Sequence, residues 1–220
     1  MKRMMLLFAF ALTVIVANAQ VALTEAEKEI LKNRIIEKLD DWQNELKIIG
    51  NRNNSVSTIN YAIKEAKLLF MGDSDYVATE SNNYWGRAGF YHSRENGRDI
   101  TERVDMQTSS KNNSYKPVQL MAKYLVAIKN MANFRYDKIV IERAGAVRVD
   151  NINKLPNGNY IAIAHILQKF EGYKDGYKLY DDYTKKEVVI YIRFEEIITP
   201  DGKVKNWIIL LEDMLVEETW

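Results

Sequence analysis

Two side chains in this sequence combine a titratable group with an apolar neighbourhood. His165 stands in YIAIAHILQKF, two residues from Ile163 and from Leu167, so in a strand the three share a face. A hairpin closed at Leu155-Pro156-Asn157-Gly158-Asn159 would bring Val147 and Val149 to the same face, with Val149 opposite His165. An imidazole seated there could take a proton as general base. Glu212 falls between Leu210 and Met214 in VKNWIILLEDMLVEE, where a carboxyl could hold a proton and give it up. Together, His165 and Glu212 would form the acid and base of a lyase, isomerase or hydrolase. Each also has a plain structural reading, His165 as a hydrogen-bonded core residue and Glu212 as a wetted strand end, and these are the readings expected.

A second cluster lies in SNNYWGRAGFYHSRENGRD, where Tyr84, Trp85, Arg87, Phe90, Tyr91 and His92 gather aromatics with Arg and His. Such a loop could bind a sugar or peptide, or plug the open end of a cavity, which is the expected role. Other chemistries leave no trace. There is no Gly-rich phosphate loop, nucleophile elbow, His-Glu-x-x-His helix or cysteine. The two histidines, His92 and His165, are far apart in the chain, and the acidic stretches lack calcium-loop spacing. No metal and no cofactor are expected.

The elements that must position these residues follow from periodicity. Thr24-Glu25-Ala26-Glu27 fits a capping box, and Ile35, Leu39, Trp42, Leu46 and Ile49 then recur at helical spacing up to Gly50. A second helix carries Ile59, Ile63, Ala66 and Phe70 on one face and ends near Gly72; a third, near 116–131, would start at Pro117 and bury Met121, Tyr124, Leu125 and Ile128. One strand is expected around Thr101 to Ser109. From Lys138 on, β-branched and aromatic residues predominate in KIVIERAGAVRVD, YIAIAHILQKF, EVVIYIRFEEI and VKNWIILLEDMLVEE, which read as four long strands.

The turns between them are LPNGN and TPDGK, each with Pro before an Asn-Gly or Asp-Gly pair. Two hairpins then make an antiparallel meander. If Thr199 faces Lys203, Phe194 faces Ile208, Ile192 faces Leu210 and Ile190 faces Glu212. The core face would carry Val188, Ile190, Ile192, Phe194, Ile208, Leu210 and Met214. Tyr191 and Arg193, with Trp207 and Leu211 across from them, would share the opposite face as a homodimer or protein-partner interface.

The chain has 220 residues and opens with Lys2 and Arg3, an apolar run from Leu6 to Val16, and Ala17-Asn18-Ala19. That is the layout of an export signal covering 1–19, with the mature chain starting at Gln20. The run is too short to span a ~30 Å hydrocarbon core, so no transmembrane anchor is expected after cleavage. Losing Lys2 and Arg3 from 31 basic residues leaves 29 against 30 acidic ones, a balance that argues against a nucleic-acid partner. Without cysteine in an exported chain, stability must come from a hydrophobic core. The expected location is periplasmic or extracellular.

Helices, an isolated strand, a helix and a long antiparallel meander define an α+β class, with helices packed on a curved, mostly antiparallel sheet. In this order of elements residues 56–220 resemble the nuclear transport factor 2-like superfamily, and GYKDGYKLYDDYTKKEVVIYI and LLEDMLVEETW resemble its secreted bacterial members of unknown function. The resemblance implies a cone-shaped α+β roll with a cavity between helices and sheet, preceded by a helical extension over 20–55. It also implies enzymes that work in the cone with a His, or an Asp paired with Tyr, beside members with no catalysis. The expected function is a non-catalytic ligand- or protein-binding module, with a small molecule in the cone. The alternatives are the His165 and Glu212 enzyme and an accessory subunit that docks through its first helix.

Overall fold

The computed structural model describes residues 23–71, 104–156, 158–200 and 202–220. The export segment 1–19 and the cluster of Tyr84, Trp85, Arg87, Phe90, Tyr91 and His92 lie outside the described residues. The order of elements is α1 (Glu25–Ile49), α2 (Val56–Leu68), β1 (Asp105–Gln107), β2 (Val118–Leu120), α3 (Met121–Phe134), β3 (Lys138–Arg143), β4 (Arg148–Val149), β5 (Asn153–Lys154), β6 (Tyr160–Lys174), β7 (Tyr177–Thr199) and β8 (Gly202–Thr219). The strands form one mixed sheet in the order β2-β1-β8-β7-β6-β3, with β4 and β5 also paired to β6, and it does not close. Every pairing is antiparallel except β1 with β8. The class is therefore α+β, and no helix among the described residues is long and apolar enough to cross a membrane.

Helix α1 starts on a complete capping box. The Thr24 hydroxyl accepts from the Glu27 N–H at 3.2 Å, and the Glu27 carboxylate accepts from the Thr24 N–H at 2.9 Å. Leu31, Ile35, Leu39, Trp42, Leu46 and Ile49 are buried at spacings of three and four. They join a core with Ile59 and Ala66 of α2, Leu125 and Ile128 of α3, and Ile190 and Leu211 of the sheet. The boundary expected at 55/56 thus runs between two helices of a single core. Phe70 packs edge-on against Trp42 at 5.0 Å between ring centres. Helix α2 stops at Leu68, short of Gly72, because the chain joins the sheet there. The Met71 N–H donates to the Leu211 carbonyl at 2.7 Å, and the Leu211 N–H to the Leu69 carbonyl at 2.9 Å.

Helix α3 begins at Met121, later than Pro117 would suggest. Residues Val118–Leu120 are taken by pairing with β1, where Gln107 faces Val118 and Asp105 faces Leu120. The Pro117 carbonyl accepts from the Thr108 N–H at 2.9 Å. A strand ladder set by tertiary contact overrides the local preference of Pro for a helix start.

Both registers differ by one residue from those the turns predict. In the first hairpin Leu155 does face Asn159, with its N–H on that carbonyl at 2.8 Å, and Gly158 has the left-handed φ of 88° that the turn needs. Between β5 and β4, however, an extra residue enters. Asn153 faces Ile161 while Val149 faces Ala164 and Arg148 faces His165. In the second hairpin Thr199 faces Gly202 instead of Lys203, so Phe194 faces Trp207, Ile192 faces Ile209 and Ile190 faces Leu211. The core face consequently takes Ile209 and Leu211 in place of Ile208 and Leu210. Met214 keeps its core position because Glu212 and Asp213 together oppose Val189 in a bulge.

The hairpin joining β6 to β7 turns at Asp175-Gly176. Both have positive φ, 52° and 80°, which a two-residue type I′ loop requires. β7 therefore starts at Tyr177, well before the apolar run that announces it in the sequence.

Candidate functional site

From Tyr180 to Ile192 the even-numbered residues of β7 face the helices. From Val188 through Ile192 they are aliphatic and fully buried, but from Lys186 back to Tyr180 they read Lys186, Thr184, Asp182, Tyr180. Opposite them stand Gln168 and Phe170 of β6. Polar side chains at positions that continue a core face must have a cavity or partners to meet them. Here a cavity of about 440 Å³ opens between this part of the sheet and α3, roofed by Tyr124, Ile128 and Met131 and rimmed by Ser110 and Arg135.

Lys186 is 5% exposed. Its ammonium donates to Gln168 Oε1 at 2.6 Å and lies 5.8 Å from the centre of the Tyr124 ring. Among the described residues this is its one hydrogen bond, and no carboxylate stands within ion-pair distance. Burial lowers its pKa to about 8, with the charge of Asp182 opposing.

Asp182 and Tyr180 form the second half of the site. The Tyr180 hydroxyl donates to Asp182 Oδ2 at 2.5 Å, which spends its only proton. Ser110 Oγ, 2.7 Å from the phenol oxygen, is then the donor there, and the Lys111 N–H donates to the same oxygen at 3.1 Å. Burial raises the Asp182 carboxyl above the ordinary carboxylate range, although the Tyr180 hydrogen bond and the Lys186 charge pull it down. Burial also raises the phenols of Tyr124 and Tyr180, with the Asp182 charge adding to it. Farther along, Thr184 bonds to Thr219 at 3.2 Å, and Thr219 to Ser109. Phe170 bridges the rings of Tyr136 and Tyr180 at 6.2 and 5.9 Å. The site thus has an apolar roof, an ammonium on the floor and a phenol-carboxylate pair along the strand.

The side chains singled out from sequence are not brought together. His165 faces away from the helices. Its Nδ1 lies 2.8 Å from Glu217 Oε1 and its Nε2 3.0 Å from Asp150 Oδ2. Glu217 reaches it because it is the extra residue of a second β8 bulge, between Val216 and Glu218. Burial would raise the Glu217 carboxyl, but the hydrogen bond and charge of His165 outweigh it and leave the group below its ordinary range. Glu212 is buried in the first bulge, five residues upstream. His165, Glu187 and Glu217 hold one donor atom each within 4.8 Å of one another, the single such group among the described residues. Of the expected interface residues, Leu211 is fully buried in the main core, and Trp207 packs on Phe194 and Tyr160 on the helix side. Tyr191 and Arg193 instead lie across from Leu210 and Ile208. The one-residue register difference separates the four onto two faces.

No known protein family, characterised protein or solved structure matches this chain.

Proposed function

We propose that this protein is an exported, non-catalytic binding module of the nuclear transport factor 2-like kind, in which the sheet and α3 form a cone that takes a small amphiphilic molecule. The carrying observation is Lys186, a buried ammonium that lines the cavity and, among the described residues, meets a single neutral acceptor, Gln168. A buried cation with so few partners is stabilised by an electron-rich ligand group. The ligand presents a carboxylate or carbonyl oxygen to Lys186 and lays its apolar body against Ile128, Met131 and Phe170. A second reading, a small-molecule lyase, isomerase or hydrolase with His165 and Glu212 as acid and base, has less support, since His165 is hydrogen-bonded to Glu217 and Asp150 on the other side of the sheet.

Calorimetric titration with aliphatic and aromatic carboxylates tests the binding reading. At least one should bind the protein and lose ten-fold or more in affinity in Lys186→Met. Absence of binding across the series, or equal binding by the variant, overturns it. Export is tested by the mass of protein recovered outside the cytoplasm, which should begin at Gln20; retention of residues 1–19 refutes it.

A further inference from the structure

We infer that Lys186 is a covalent attachment point, forming a reversible imine with an aldehyde or ketone that enters the cavity beneath α3. The inference rests on the binding reading above and names the ligand class for the same pocket.

Donor count is the first ground for an imine. An ammonium has three N–H groups, and among the described residues the only hydrogen bond made by this one is to Gln168 Oε1, at 2.6 Å. A protonated imine has a single N–H on its nitrogen, and Gln168 Oε1 is already placed to accept it. Conversion of the amine to an iminium would therefore leave every donor satisfied with no movement of Gln168.

The second is nucleophilicity. Among the described residues no carboxylate lies within ion-pair distance to hold the proton on Lys186, and the aromatic and aliphatic roof withdraws it from water. With a pKa near 8, about a tenth of the amine is neutral at pH 7, against roughly one part in three thousand for an ordinary lysine at 10.5. Desolvated lysines are nucleophiles for this reason.

The third is proton handling. The nitrogen lone pair attacks the carbonyl carbon, the C–N bond forms, and the carbonyl oxygen takes up the proton that nitrogen releases. The carbinolamine hydroxyl then needs a second proton to leave as water while the C=N bond forms. Net, an ammonium and a carbonyl become an iminium and one water, with charge and atoms conserved. Asp182, on the same strand face two positions beyond Thr184, is the carboxyl available to carry that proton, and Tyr180 holds it in place at 2.5 Å.

The test uses 2-naphthaldehyde as probe with cyanoborohydride to reduce any imine, followed by peptide mass mapping. 2-Naphthoate, which has the same body and cannot form an imine, is titrated in parallel. The expected result is a reduced adduct on Lys186 at least ten-fold above that on any other lysine, suppressed by excess 2-naphthoate. Lys186→Arg should abolish the adduct at that peptide and leave labelling of the other lysines unchanged. Binding of 2-naphthoate with no enrichment at Lys186 overturns the imine and leaves the pocket reading intact. Failure of both probes overturns both, and adducts spread evenly over the lysines overturn the inference whatever 2-naphthoate does.

Discussion

Replacing Lys186 with Met should stabilise the protein at neutral pH, and the gain should disappear in alkali. The side chain is nearly fully buried, and its pKa falls from 10.5 to about 8 on folding, chiefly through loss of hydration. At 1.36 kcal/mol per unit, holding the charge in the fold costs roughly 3 kcal/mol. Met fills a similar volume without a charge, while Gln168 loses a hydrogen-bond donor, a loss of about 1 kcal/mol. The net gain at pH 7 is then about 2 kcal/mol, or about 4–8 °C in melting temperature for a chain of this size. For the sign, a lysine with a depressed folded pKa binds fewer protons folded than unfolded between about 8 and 10.5. Wild-type stability therefore rises with pH across that window, and below pH 8 the full penalty is present. The charged and titratable groups around the amine are Asp182 and Tyr180 on its own strand, Tyr124 on α3 and Arg135 at the rim. Both phenols are held above their ordinary range, so the window belongs to Lys186. Urea denaturation of both proteins at pH 7, 8, 9 and 10.5 isolates the effect, since titration common to both cancels in the difference. The difference should shift by about 3 kcal/mol in favour of wild type over the series. A constant difference from pH 7 to 10.5 would refute the claim that Lys186 is buried as a charge.

Gly172→Ala should cost roughly 1–3 kcal/mol in the same urea assay, because an added Cβ would come within 2.4 Å of the buried Tyr136 ring, itself packed on Phe170; an unchanged midpoint would show that Tyr136 can move aside freely. Glu27 is held down to about 2, first by the hydrogen bond from Lys205 of β8 and next by the Thr24 N–H. Its contribution is therefore present above about pH 4.5 and lost as pH falls through 2. Glu27→Gln keeps the cap but not the charge, and should lose up to about 1 kcal/mol at pH 7 once solvent screening is allowed for. That deficit should close at pH 2, and a deficit that persists in acid would place its origin in packing.

What the sequence made legible was local. Thr24 and Glu27 announce α1 because a capping box is a short-range device, and the spacing from Ile35 to Ile49 carries enough large side chains to fix the buried stripe. The Pro-x-Gly turns located two hairpins for the same reason. Register was not legible, since it depends on a single residue, and two were misplaced: one between β4 and β5, the other at Gly202. That slip exchanged the faces of Leu210 and Leu211 and dissolved the expected grouping of Tyr191, Arg193, Trp207 and Leu211. The pairing of His165 with Glu217 was hidden twice over, because it needs both the register and a β8 bulge.

The cavity residues were hidden differently. Tyr180, Asp182, Thr184 and Lys186 sit in a polar stretch whose composition reads as loop, yet they continue, at a period of two, the same face as Val188, Ile190 and Ile192. The Asp175-Gly176 turn was the available signal that this stretch is strand. Geometry explains why one strand carries both halves. β7 has 23 residues, roughly 75 Å at 3.3 Å each, while α1 with 25 residues is only about 37 Å long. No helix among the described residues can cover such a strand along its length. The helix-covered stretch can be aliphatic, the tip beyond Glu196 is exposed at Ile197 and Ile198, and the stretch under the short helix α3 is only partly roofed. Aliphatic residues there would leave a wetted apolar hollow, whereas Lys186, Asp182 and Tyr180 make the incomplete roof tolerable and give the hollow its chemistry. The site is thus placed by the mismatch between strand and helix lengths, and its residues are the ones that mismatch permits to be polar.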